Sequence, residues 1–137
     1  MVVFMTHPNR PPSDLAVITK TKQLCLYVMQ VTEKSPKRFR FTFVSRMQNL
    51  ALDVVEDLFR ANETFVSKGD ETALARRLEL QHEASTSLKM LVYVAEMAMG
   101  QDCITGKQYE QISKQSFDVG NLIGGWINSD KKRSGHG

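Results

Sequence analysis

Two clusters in this chain combine residue types that can do chemistry. Glu79-Leu80-Gln81-His82 has the Glu-x-x-His spacing that puts a carboxylate and an imidazole on one helical face, as in carboxylate-bridged di-metal bundles. Such a centre takes its remaining ligands from a second Glu-x-x-His, which this sequence lacks, and the other histidines, His7 and His136, fall in the terminal segments. His82 is therefore read as a surface or boundary residue, and no metal or cofactor is expected. The second cluster is Asp53, Glu56 and Asp57. Paired carboxylates serve catalysis only where a pocket separates their proton affinities, so a solvated helix face is the simpler reading.

No glycine-rich phosphate loop follows a strand pattern. Gly120, Gly124 and Gly125 recur inside a helical pattern, where the expected use is close approach of a neighbouring helix. With no nucleophile, base and orienting group to assemble, the chain is not expected to be an enzyme.

Charge is more informative. Lys34, Lys37, Arg38, Arg40 and Arg46 crowd into one short stretch with only Glu33 beside them, the sharpest charge asymmetry in the sequence. Within it Arg38, Phe39, Arg40, Phe41 and Phe43 alternate cation with aromatic, a pattern that either tracks a phosphate backbone or anchors a turn to a core. A further pair, Arg76 and Arg77 with Lys68 before it, and the terminal Lys131-Lys132-Arg133, extend the positive charge elsewhere, so it is expected to spread along the molecule. These residues could also be ordinary solvated surface cations, and the net charge of +3 is modest, so their distribution decides the matter.

The elements that position these residues follow from periodicity. Met1 to Pro12 contains Pro8, Pro11 and Pro12 and reads as an irregular arm. Ser13 is placed to cap a first helix from Asp14 to about Glu33, whose stripe is Val17, Thr21, Leu24, Val28 and Val31, widened by Ile18 and Cys25. Ser35-Pro36 stops it and is expected to start the second helix, with Ser35 at the cap and Pro36 at the first position. The second stripe is Val44, Met47, Ala51, Val54 and Leu58, backed by Phe43, Leu50, Val55 and Phe59. A long third helix carries Leu74, Leu78, Gln81, Ser85, Leu88, Val92, Ala95 and Met99, with Gly100 as its C-terminal cap. Thr105 and Gln108 match a capping box before a fourth stripe of Tyr109, Ile112, Ser116, Val119, Ile123 and Trp126. Residues 130–137 read as a flexible basic tail.

Four stripes joined by short connections, with no comparable strand pattern, predict an all-α, antiparallel up-down-up-down four-helix bundle over residues 13–129. With 137 residues, 42% of them hydrophobic, the chain is long enough to bury one core without staples. Leu88, Met90, Leu91, Val92, Val94, Met97 and Met99 surround more than one face of the third helix, either as a broad core or as a contact for another copy or partner. Cys25 and Cys103 stand far apart in apolar stretches and are expected as reduced core thiols. The N-terminal apolar run is too short for a signal peptide and no run is long enough for a membrane span, so a cytoplasmic protein with no membrane association is expected.

The stretch TKTKQLCLYVMQVTEKSPKRFRFTFVSRMQNLALDVVEDLFRANE, the third-helix segment ARRLELQHEASTSLKMLVYVAEMA and the closing ISKQSFDVGNLIGGWI resemble the accessory variability determinant (Avd) family of bacterial and phage diversity-generating retroelements. That family is grouped with the four-helix-bundle proteins encoded in intervening sequences of ribosomal RNA genes. The resemblance covers about Leu15 to Ile127, and its most telling parts are KSPKRFRF and LIGGWI. It implies a homopentameric, barrel-like ring with a positive surface that binds nucleic acid, associates with the reverse transcriptase and supports copying of a template RNA into mutated cDNA. Clustering, within that implied role, marks Lys34, Lys37, Arg38, Arg40, Arg46, Arg76 and Arg77 as expected phosphate contacts. The competing reading is a structural oligomerising bundle of the intervening-sequence type that binds a protein and has no nucleic-acid role.

Overall fold

The computed structural model describes residues 12–133. Four α-helices form a bundle: α1 Pro12–Glu33, α2 Ser45–Glu63, α3 Glu71–Gly100 and α4 Gly106–Arg133, with no strand among the described residues. α1 packs on α2 and α4, and α3 packs on the same two, so each helix has two principal neighbours. The expected arm, apart from Pro12, and residues 134–137 lie outside the described residues.

Three of the four expected stripes point inward as read. Val17, Leu24, Val28 and Val31 of α1, Met47, Ala51, Val54 and Leu58 of α2 with Val44 just before it, and Ile112, Val119, Ile123 and Trp126 of α4 form one continuous core. The stripe of α3 is rotated relative to the expected one. Its buried residues are Leu74, Arg77, Leu80, Gln81, Ala84, Leu88, Leu91, Val94, Ala95 and Ala98, whereas Leu78, Ser85, Val92 and Met99 are only half-buried. The small side chains of Ala84, Ala95 and Ala98 let α3 lie close to its neighbours, a preference that hydrophobicity alone does not reveal. Thr21 and Thr32 sit in the core of α1 by donating their hydroxyls to the carbonyls of Val17 and Val28, both at 2.7 Å.

The connections depart from the sequence reading in two places. Ser35 does not cap α2; its Oγ donates to the carbonyl of Cys103 at 2.8 Å, tying the end of α1 to the turn after α3. Between Pro36 and α2 the chain makes a 3-10 turn, Lys37–Phe39, and a π-helical turn, Arg40–Val44, so the α-helix begins only at Ser45. Gly100 is not the left-handed cap of α3 either: the helix includes it, and Asp102 takes the positive φ of 64°. At the start of α3, Asp70 accepts from the Ala73 N–H. The capping box is present as expected, with the Thr105 N–H donating to Gln108 Oε1 and the Gln108 N–H donating to Thr105 Oγ1.

α4 continues to Arg133, beyond the expected limit of the bundle at residue 129, because Asp130 falls on the inner stripe one turn after Trp126 and is buried. Cys25 and Cys103 are buried free thiols, and burial pushes the Cys25 thiol above its ordinary pKa. Among the described residues no helix is long and apolar enough to cross a membrane.

The helical glycines are not explained by close approach within this chain. A Cβ on Gly120 would meet Leu88 at an ordinary 3.6 Å, and one on Gly124 or Gly125 would meet nothing within 4 Å. Gly124→Ala and Gly125→Ala should therefore each raise stability by about 0.5–1 kcal/mol, because glycine loses more backbone entropy in a helix than alanine does. Chemical denaturation of each variant checks this, and a lowered midpoint would contradict it.

Candidate nucleic-acid interface

The expected phosphate contacts divide by how the fold uses their charge. Lys34, Lys37, Arg38 and Arg40 are exposed in the connection from α1 to α2, and Arg46 is exposed in the first turn of α2. Among the described residues none of these five pairs with a carboxylate, so their charge is available to a partner. Arg76 is also exposed but lies on α3, where it shares its charge with Glu79 at 3.4 Å.

Arg77 departs from the expectation. It is buried, and its guanidinium donates from Nε to Asp130 Oδ2 at 2.9 Å and from Nη2 to Asp130 Oδ1 at 2.7 Å, a two-point pairing. Its Nη1 donates to the Thr64 carbonyl at 3.2 Å, and the guanidinium lies 5.3 Å from the centroid of the Trp126 ring. Gln81 Nε2 and Arg133 also donate to Asp130. A charge this deep is tolerated because a carboxylate and several hydrogen bonds replace its water, and the same arrangement removes it from reach of any phosphate. Arg77 lies three residues after Leu74 and four before Gln81, so its place on the inner stripe was legible; the missing element was Asp130, assigned to the tail.

The basic connection owes its shape to its aromatics. Phe39 and Phe43, four residues apart, both pack against the core with ring centroids 5.7 Å apart. The turn is π-helical, with the Ser45 N–H reaching back to the Arg40 carbonyl, and Phe41, two residues from both anchors, faces outward. Arg38 lies on the Phe39 ring at 4.4 Å, a cation–π contact that holds the guanidinium at the surface of the turn. Phe39 and Phe43 thus anchor the turn to the core, while the cations and Phe41 face solvent.

Alongside this turn runs the outer seam between α2 and α3, which changes character along its length. One part is a groove of about 460 Å³ lined by Phe41, Phe43, Arg46, Asn49, Met90 and Met97 among others, with no carboxylate in its wall. Further along, a groove of about 680 Å³ is lined by Asp53, Asp57, Glu79, His82, Glu83, Thr86 and Ser87. Arg46, Asp53 and Asp57 lie seven and eleven residues apart on α2, hence on one helical face, so that face turns from basic to acidic within three turns. Among the described residues, no group of three or more His, Cys, Asp and Glu side chains is placed to hold a metal ion.

Asp53 and Glu56 are solvated as expected, but Asp57 is half-buried. Loss of water, then the neighbouring charges of Glu83, Asp53 and Glu56, push its carboxyl up to about 6 against the opposing pull of Arg60. The folded state thus favours protonated Asp57. Its stabilising contribution is complete below the ordinary carboxylate value of about 4 and is lost as pH rises through about 6. Asp57→Asn should flatten the fall in stability across that interval, and denaturation midpoints measured at several pH values report it directly. Arg77→Ala should cost about 3 kcal/mol or more by leaving Asp130 without its principal partner. Arg76→Ala, an exposed i,i+3 pair, should change stability by less than about 1 kcal/mol in the same unfolding assay.

A family model described as bAvd-like matches residues 15–130. No curated protein and no solved structure matches the chain. The family match runs across all four helices and ends at the buried Asp130. Both the helical architecture and this match agree with the sequence resemblance, and the chain belongs to the bAvd-like family as an Avd-type accessory protein.

Proposed function

We propose that this protein binds the template RNA or cDNA of a diversity-generating retroelement together with its reverse transcriptase, and so supports mutagenic reverse transcription without carrying out polymerisation itself. The observation that carries this reading is the set of five exposed cations, Lys34, Lys37, Arg38, Arg40 and Arg46, in the α1–α2 connection and the first turn of α2, without counter-ions among the described residues. A flexible anion gains from such a set by releasing its own condensed counter-ions, a driving force that needs no base sequence. Arg76 is a subsidiary contact, and Arg77 has no part in the proposed surface.

The proposed assembly is a homopentameric ring of antiparallel up-down-up-down bundles. Hydrogen bonds from Ser35 to Cys103, from Gln48 to Thr32 and from Arg77 to Asp130 and Thr64 support the antiparallel order, since each links helix ends that such a bundle gathers at one pole. For self-association, a groove of about 510 Å³ between α3 and α4 presents Tyr93, Phe117 and Gly120, and both aromatic residues are largely exposed. Repetition of the basic connection around a ring multiplies a weak contact into an avid one. Work beside a reverse transcriptase and its transcript belongs in the cytoplasm.

The same apolar groove favours the second reading, a structural oligomer that binds protein and ignores nucleic acid. RNA binding across a salt series separates the two. The wild-type protein should lose affinity steeply with salt, and the triple variant Arg38→Gln/Arg40→Gln/Arg46→Gln should bind more weakly with a log–log salt slope reduced by about two for a single strand. Arg76→Gln should change the slope little. Wild-type RNA binding that is absent, or unmoved by the triple variant, would contradict the proposal.

A further inference from the structure

We infer that Phe41 is a stacking platform for an unpaired nucleobase, making the basic connection a site that prefers single-stranded over double-stranded nucleic acid; the inference rests on the nucleic-acid reading above. Phe41 is 85% exposed, more than any other large apolar side chain among the described residues. Its neighbours of the same type, Phe39 and Phe43, are taken up by the core, so the fold has a way to bury a phenylalanine in this turn and does not use it at position 41. Phe41 stands two residues from both anchors, across the turn from the side that packs on the core, and the turn that carries it, Arg40–Val44, is π-helical, a geometry that often occurs at functional sites.

What surrounds the ring fits a nucleotide. Arg40 precedes Phe41 in the same turn, Arg38 stands in the 3-10 turn just before it, and Arg46 shares its groove, so cations are available for the phosphates beside a stacked base. Met90 and Met97 give the groove an apolar, polarisable wall, while Thr42, Ser45 and Asn49 offer hydroxyl and amide groups to base edges. The groove wall carries no carboxylate, whereas the next stretch of the seam carries Asp53, Asp57, Glu79 and Glu83. A strand laid along α2 from the turn thus meets repulsion beyond Asn49, which limits this copy of the site to a few nucleotides. An A-form duplex keeps its base faces stacked internally and offers a protruding ring only backbone and groove edges, so a stacking contact here selects unpaired bases.

The test uses the full chain with two probes, an oligoadenylate RNA and an RNA duplex of the same length. Phe41→Ala should weaken binding of the single strand by roughly 10- to 100-fold, with its salt slope and the duplex affinity unchanged. Because the side chain is exposed, the variant should unfold at the wild-type denaturant concentration. Phe41→Trp should retain single-strand binding and gain a fluorescence signal quenched by the oligoadenylate and not by the duplex; the one native tryptophan, Trp126, is buried and contributes a constant background. Wild-type affinity in Phe41→Ala, with affinity still lost on removing Arg38, Arg40 and Arg46, would overturn the stacking role and leave the electrostatic reading intact. Unchanged RNA binding in Phe41→Ala with loss of reverse transcriptase binding would assign the groove to a protein and overturn the inference. Failure of the wild-type protein to bind either probe would overturn both readings.

Discussion

Packing four apolar stripes around one seam leaves almost no interior position where charge can survive, and that exclusion sorts every cation in the molecule. Burying the large side chains of Leu24, Met47, Leu58, Leu91, Ile112 and Ile123 against one another sets the rotation of each helix about its axis. Once those rotations are set, a basic residue either faces water or needs a built-in anion. Arg77 takes the second course. Its position on the inner stripe of α3 is matched by Asp130 on the inner stripe of α4, and Thr64, Gln81 and Trp126 complete its surroundings. The pair gathers the start of α3, the exit from α2 and the end of α4 into one cluster, so it specifies how these ends meet as much as it contributes to stability.

Cations on the connection between α1 and α2 take the first course, and among the described residues none of them pairs with a carboxylate. This follows from the local backbone. Across the successive 3-10 and π-helical turns Phe39 and Phe43, four residues apart, pack together against the core, while Arg38, Arg40 and Phe41 stay outside. The acidic groove built from Asp53, Asp57, Glu79 and Glu83 then gives the same α2–α3 seam a second, opposite character. A polyanion meeting this molecule is drawn to one end of the seam and repelled from the other, and an electrostatic gradient of this kind orients a partner as well as attracting it.

Much of this was legible in the residues themselves. The stripes of α1, α2 and α4 follow from three-four spacing because their large apolar side chains are also the ones that pack. In α3 the spacing admits two overlapping stripes that share Leu74, Gln81, Leu88 and Ala95, and the buried side takes in Leu80, Ala84, Leu91, Val94 and Ala98 in place of Leu78, Ser85, Val92 and Met99. Asp130 was hidden by its neighbours: Lys131, Lys132 and Arg133 make the segment read as a tail, yet 126 and 130 are one helical turn apart and the stripe simply continues. Ser35-Pro36 carries a sound local signal for a helix start, but the Ser35 hydroxyl has a tertiary partner in the Cys103 carbonyl, which no local pattern contains. The outward direction of Phe41 follows from its place two residues from both Phe39 and Phe43, whereas the π-helical turn itself has no recognisable mark in the sequence.

In the proposed function nucleic acid meets the unpaired cations of the α1–α2 connection and avoids the acidic part of the α2–α3 seam. Photo-crosslinking of bound RNA followed by peptide mapping on the unmodified protein locates that contact directly. The account predicts crosslinks within residues 34–49. Crosslinks confined to residues 53–87 would contradict it.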